Sequence, residues 1–415
     1  MRNSGFLWVI VGIMFILDIY IFQVVKWIVP ISWPRWRLAV LAFYWIVSVA
    51  VITILIALPY INYESWPKHI RTYVFAIIVG LFFSKLTASI FFAVDDIRRG
   101  GTWIIGKFFS DPSVPVSGSA EGITRSAFLS WMGMAIGGGL FGTLVYGFSN
   151  KYRYQVKRIP LSFDNLPASF RGLRIVHISD IHSGSFMDRK AVMKGVEKIL
   201  HQKPDLILFT GDLVNDRAIE MNEYMEVFSH LKAPMGVYSI LGNHDYGDYV
   251  RWESPEIKKA NLENLKEVHG KLGWQLLMNE HIALEKNGEK IALMGIENWS
   301  AKGNFPKYGR LQEAYAGVEQ YPFKILMSHD PSHWDGEVRI QYRDIDLMLS
   351  GHTHGMQFGV ELPGFRWSPV QYMYKQWGGL YETENQKLYV NRGFGFIGYP
   401  GRVGILPEIT VIELS

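Results

Sequence analysis

Gly351-His352-Thr353-His354 follows directly on the apolar run 346–350, so two imidazoles flank one residue at the exit of a buried strand. Histidines so spaced can each face a different metal ion. A pair of histidines is not a metal site by itself, and the chain supplies further ligands in the same context four more times. Asp180-Ile181-His182 follows 173–179, Gly211-Asp212 follows 205–210, Gly242-Asn243-His244-Asp245 follows 236–241, and His329 follows 323–328. Each opens a loop behind a short apolar strand, the place where an α/β scaffold exposes functional groups. Carboxylate oxygens, imidazole nitrogens and an amide oxygen suit borderline divalent ions such as Mn²⁺, Fe²⁺ or Zn²⁺. With no cysteine in the chain, thiolate sites and disulfides are both excluded.

The ordered set D-x-H, G-D, G-N-H-D, H and G-H-x-H resembles the calcineurin-like metallophosphoesterases, from about residue 173 onward. With apolar runs in front of it, the chain looks most like the membrane-anchored bacterial branch of that family. That branch includes lipid-related phosphoesterases, among them some UDP-2,3-diacylglucosamine hydrolases. The resemblance implies two divalent ions, one on Asp180, His182 and His354, the other on Asn243, His329 and His352. Asp212 would bridge them, because cations about 3.5–4 Å apart repel and a shared anion offsets the repulsion. A water activated by the ions is the implied nucleophile. His244 would protonate the leaving oxygen, with Asp245 orienting its ring, a contribution typically worth about 10²–10⁴-fold. The implied substrate is a phosphodiester, pyrophosphate or phosphomonoester, lipid-linked or nucleotide-linked. A metal-binding membrane sensor or scaffold without catalysis is the alternative, and the complete ligand set with His244 argues against it. One departure is Asn215, where the pattern often has a second Asp; Asp216 follows it.

Other residues carry less. Arg392 is read either as a planar fork for a substrate phosphate or as a plain surface arginine. His177, inside a strand, reads as a satisfied core histidine, whereas His69, His201, His230, His269, His281 and His333 read as surface residues. Phe365, Trp367, Tyr372, Tyr374 and Trp377 read either as core or as the lining of a lipid-facing groove.

The elements that must position these residues fall into two parts. Of 415 residues, 49% are hydrophobic, and residues 1–150 hold only 11 of the 42 Lys and Arg and 6 of the 38 Asp and Glu. That part reads as a transmembrane helical domain with spans near 6–25, 38–58, 73–94 and 128–148. The first apolar run is longer than a cleaved signal peptide needs, and further spans follow it. A cell-membrane, multi-pass protein in contact with membrane lipids is the expectation. Asp18 and Lys85 lie about halfway along spans that run in the same direction, so a buried ion pair is expected. Lys and Arg tie at seven on each side of a four-span topology, which leaves the side of the catalytic part open. Residues 151–172 read as a basic linker whose Lys151, Arg153, Lys157 and Arg158 would sit among anionic headgroups. A net charge of +4 requires no polyanionic partner, and no nucleic acid is expected.

Residues 173–415 read as the catalytic domain. Short strands alternate with a helix over 188–201 capped by Asp188, a helix opened by Ser254-Pro255 and stopped near Gly273, and a hairpin at Asn287-Gly288. The fold class expected is α/β: a four-layer α-β-β-α sandwich of two sheets with helices outside, as the resemblance also implies.

Overall fold

Apolar runs in lipid can satisfy their backbone amides only internally, which selects the helix. The computed structural model describes residues 4–32, 34–109, 124–302 and 305–415. Among these, four helices are long and apolar enough to cross a membrane: α1 (Ser4–Ile28), α2 (Pro34–Ala57), α3 (Lys68–Phe109) and α4 (Arg125–Gly147). They lie where the sequence placed its spans, except that α3 is far longer. Its 42 residues measure about 63 Å at 1.5 Å per residue, twice a hydrocarbon core of about 30 Å. The surplus begins at the polar band Asp95, Asp96, Arg98 and Arg99, where Tyr20 donates to Asp96 Oδ2 at 2.7 Å and Asp95 pairs with Arg98. Gly133 and Gly137 let α4 approach α3 closely, since a Cβ at Gly137 would stand 2.7 Å from the Ser84 carbonyl.

The expected intramembrane pair is formed. Asp18 and Lys85 are buried and bonded to each other, with Ser48 Oγ donating to Asp18 Oδ1 at 2.8 Å and Tyr44 OH donating to the Asp18 carbonyl at 2.7 Å. An isolated charge at that depth costs about 2.5–3.5 kcal/mol, so Asp18→Asn and Lys85→Met should each destabilise the helical unit by about that much. The double variant should lose less than the two singles together, as measured by unfolding in detergent. Additive losses would show that the two groups are energetically independent.

The chain divides into two compact units, Met1–Tyr146 and Gly147–Ser415. In the second, the strands are β1 (Gln155–Leu161), β2 (Arg174–Ile178), β3 (Leu206–Phe209), β4 (Val237–Ser239), β5 (Gln275–Leu276), β6 (Glu280–Lys286), β7 (Glu289–Gly295), β8 (Lys324–Met327), β9 (Leu347–Ser350), β10 (Val360–Leu362), β11 (Phe365–Trp367), β12 (Gly379–Thr383), β13 (Gln386–Val390) and β14 (Glu408–Leu414). They build one six-stranded sheet in the order β1-β14-β2-β3-β4-β5 and another in the order β12-β13-β9-β8-β7-β6. Alternate residues of each strand face opposite layers. Ile175, Leu206 and Leu208 of the first sheet meet Leu293, Ile325, Leu347 and Leu349 of the second in a shared core. Val176, Ile207 and Phe209 turn outward onto α5 (Arg189–Leu200) and the helix Pro255–Leu272, and a third core lies on the far side of the second sheet. The result is the α-β-β-α sandwich.

Local signals held where their chemistry is short-range. Asp188 Oδ1 accepts from Ala191 N at the start of α5, and Asn287 and Gly288 both have positive φ in the β6–β7 turn. The stretch 151–172 is different from the expected basic linker. Gln155–Leu161 is an edge strand paired in parallel with β14, Lys157 Nζ bonds Glu361 Oε2 at 2.7 Å, and Arg158 bonds Gln202 at 2.7 Å. Lys151 is buried. Charges and Pro160 suit a strand at a sheet edge, and that composition reads as a linker when pairing is invisible.

Candidate active site

Parallel strands align their carboxyl ends, and here both sheets do so at the same end of the sandwich. The loop after β2 presents Asp180 and His182, the loop after β3 Asp212, and the loop after β4 Asn243, His244 and Asp245. The second sheet adds His329 after β8 and His352 and His354 after β9. Asp180, His182 and His354 place ligand atoms within 4.8 Å of one another, and so do Asp180, Asp212 and His329. His182 Nε2 stands 3.0 Å from His354 Nε2 and 3.5 Å from Asp212 Oδ2, while His329 Nε2 stands 3.2 Å from the same Asp212 oxygen. His352 Nδ1 lies 2.8 Å from Asn243 Oδ1. Lone pairs of two imidazoles converging with carboxylate oxygens at these distances suit cations, so the donor set fits divalent metal.

The backbone is bent to achieve this. Asp180, His182, Asp212, His352 and His354 all have left-handed φ between 49° and 72°, a conformation that costs a non-glycine residue about 1–3 kcal/mol and gathers at functional sites. Gly351 is required by proximity, because a Cβ there would stand 1.9 Å from Ser179 Oγ and 2.2 Å from Asp180 Oδ2. Electrostatics follow from the crowding. Burial opposes charge on His329, but the Asp212 carboxylate outweighs it and holds the ring up to about 10. Burial likewise opposes ionisation of Asp212 and Asp180, yet His329 and His244 hold Asp212, and His354 holds Asp180, below the usual carboxylate range. Metal binding must displace ring protons, so affinity should rise with pH.

Two family models cover most of the chain: the probable calcineurin-like phosphoesterase transmembrane domain over residues 1–151, and the calcineurin-like phosphoesterase domain over residues 173–356. The chain belongs to the calcineurin-like metallophosphoesterases. Among its relatives is the transmembrane protein with metallophosphoesterase domain of Danio rerio, 29% identical over 319 residues, which span 75% of this chain and 68% of that protein. The uncharacterized metallophosphoesterase YkuE of Bacillus subtilis is 28% identical over 71% of this chain and 98% of its own. The UDP-2,3-diacylglucosamine pyrophosphatase LpxG of Chlamydia trachomatis is 27% identical over 61% of this chain and 88% of its own. The protein is thus a multi-pass membrane metallophosphoesterase.

Within this metallophosphoesterase site, several residues do something other than expected. Asp245 does not orient His244. Its carboxylate accepts from the amides of Gly242, Asp212, Leu213 and Val214, tying the β3 and β4 loops together, and among the described residues no ring nitrogen bonds it. The His244 ring is held instead by the Asn215 carbonyl, 2.8 Å from Nδ1, so the departure at position 215 leaves its orientation to a backbone group. Arg392 is neither a phosphate fork nor a surface residue. It is buried between Glu408 and Glu361, each 2.6 Å away, and is spent on that pairing. His177 is a core histidine bonded to Thr210 as expected, whereas His269 and His333 are buried on Ser239 and on Ser328 and Glu337.

Three supporting residues carry no motif. Tyr249 OH accepts from Asn243 Nδ2 at 2.8 Å, turning the amide oxygen toward His352, and its ring lies 4.5 Å from that of His244. Tyr374 OH is 2.8 Å from His352 Nε2 and donates to Asp330 Oδ2 at 3.4 Å. In that chain Nε2–H donates to Tyr374, which leaves the Nδ1 lone pair available to a cation. Such partners of a ligating ring are worth about 10–100-fold in metal affinity, so Tyr374→Phe should weaken divalent-ion binding by that factor in calorimetric titration with Mn²⁺. An unchanged affinity would remove Tyr374 from this role.

Proposed function

We propose that this metallophosphoesterase works with two divalent ions, Mn²⁺, Fe²⁺ or Zn²⁺, and cuts a phosphodiester or pyrophosphate bond in a lipid-linked molecule. Asp180, His182 and His354 would hold one ion and Asn243, His329 and His352 the other, with Asp212 shared. The observation that carries the reading is the position of Asp212 Oδ2, within 3.5 Å of imidazoles from both groups. When bound, such a pair of ions supplies Lewis acidity toward phosphoryl oxygens and lowers the pKa of water. The chain's own contribution is a proton and a fixed geometry. His244 lies beside the ligands without belonging to either histidine–carboxylate group, and its backbone N–H bonds Asp212 Oδ1 at 2.9 Å. With Nδ1–H donated to the Asn215 carbonyl, Nε2 is the atom that would deliver a proton to the leaving oxygen.

The lipid-linked substrate is supported by the four spans and by LpxG, whose name describes the pyrophosphatase of an acylated sugar nucleotide. The test is hydrolysis by detergent-solubilised full-length protein with Mn²⁺ of a panel containing a lipid pyrophosphate and a glycolipid phosphodiester in mixed micelles, with water-soluble analogues sharing their headgroups. Preference for the micellar members is expected. Preference for the soluble analogues would reject the lipid-linked class, and metal binding without any turnover would favour a sensor or scaffold.

A further inference from the structure

The β10–β11 hairpin is built inside out for a surface in water. Register pairs Val360 with Trp367, Glu361 with Arg366 and Leu362 with Phe365, so cross-strand partners share a face and the faces alternate. The charged face turns to the domain. Glu361 bonds Lys157 and Arg392, and Arg366 donates to the Gly378 carbonyl with its guanidinium 5.0 Å from the Tyr381 ring. The apolar face is left outside, with Leu362 61% and Phe365 57% exposed. The next turn adds Tyr372, 79% exposed, and Met373, while Met356 and Val360 complete the patch. Two-stranded ribbons are marginal in water, and one that pairs its charges inward while exposing its hydrophobes needs another solvent.

Chain continuity says which solvent. The last span ends at Gly147, whose carbonyl accepts from Arg402 N at 3.0 Å, and Phe148 packs on Tyr399. Val403 in turn pairs with the strand leading into the hairpin, through Val403 N to Gln357 O and Gly359 N to Val403 O. The hairpin therefore lies two hydrogen-bonded steps from Gly147, the last residue of α4. Lys157 and Arg158 are engaged within the domain, and the patch itself offers lipid apolar surface rather than charge.

We infer that the outer face of the β10–β11 hairpin, with Tyr372 and Met373, is a membrane-docking surface that inserts into the headgroup–acyl boundary of the bilayer in which the protein is anchored. Its inner side is continuous with the metal ligands. Val370, Tyr374, Trp377 and Ile405 form a small core beneath it, and Tyr374 reaches His352 while Ser368 bonds the Gly355 carbonyl beside His354. Docking would hold the mouth of the site against the lipid headgroups. The inference concerns where the hairpin sits and stands whatever the substrate is.

The chain has no cysteine, so single-cysteine variants label cleanly. An environment-sensitive fluorophore is placed at Leu362→Cys, Phe365→Cys or Tyr372→Cys, and at exposed Ile340→Cys as a control, in full-length protein reconstituted into phosphatidylcholine–phosphatidylglycerol vesicles. Interfacial elements bury their apolar face by about 5–10 Å, so the hairpin probes should shift to the blue. A nitroxide near the top of the acyl chain should quench them to more than about twice the extent at 340. Adding Leu362→Glu and Phe365→Glu should abolish the excess quenching at 372. Quenching at 362 and 365 no greater than at 340, or quenching at 372 that survives the two glutamates, would overturn the inference. Turnover enters neither result, so docking and the lipid-linked substrate stand or fall separately.

Discussion

The Asp212→Asn protein should hydrolyse phosphoesters at least about 10³-fold more slowly than the parent, since in the proposed assignment several kcal/mol of transition-state charge stabilisation would depend on the two ions this carboxylate would share. Asp212 Oδ2 is the carboxylate oxygen that lies 3.5 Å from His182 and 3.2 Å from His329, which face different ions in the proposed assignment. Asparagine keeps the shape and removes the charge, so two cations would face each other with less anion between them. Metal analysis of the purified variant should find fewer than two ions per chain. Near-parental activity with two ions still bound would show that a shared anion is not needed.

His244→Ala should leave metal content unchanged and lower turnover by about 10²–10⁴-fold on substrates with alkoxide leaving groups. The loss should shrink on a nitrophenyl ester, whose leaving group needs no proton, because an acid contributes only where charge develops on the departing oxygen. The ring is held by the Asn215 carbonyl on Nδ1 and by Tyr249 against its face. Equal losses across leaving groups would assign His244 to binding instead of proton transfer.

Sequence made the candidate metal ligands legible as a cluster because each must be one of a few residue types at the end of a buried strand, and five such ends recur in order. It made the Asp188 cap and the Asn287-Gly288 turn legible because their chemistry spans a few residues. What it hid depends on remote partners. Arg392 is fixed by Glu361 and Glu408, and His269 is buried by bonding Ser239, thirty positions earlier. Asp245 was misread as a ring partner because motif adjacency cannot distinguish an imidazole from four backbone amides. Strand β1 was masked by its charges, and the β10–β11 hairpin by an exposed apolar face that looks like core or groove in one dimension.

The dinuclear proposal is tested most directly by stripping the full-length protein of metal and titrating Mn²⁺ back while bound metal and phosphodiester hydrolysis are followed in one sample. Both groups of ligands should fill, to two ions per chain, and turnover should rise with the second ion and vanish again with chelator. Full turnover at one bound ion per chain, or turnover that persists in chelator with no metal bound, would contradict a mechanism built on Asp212 as the anion shared between two ions.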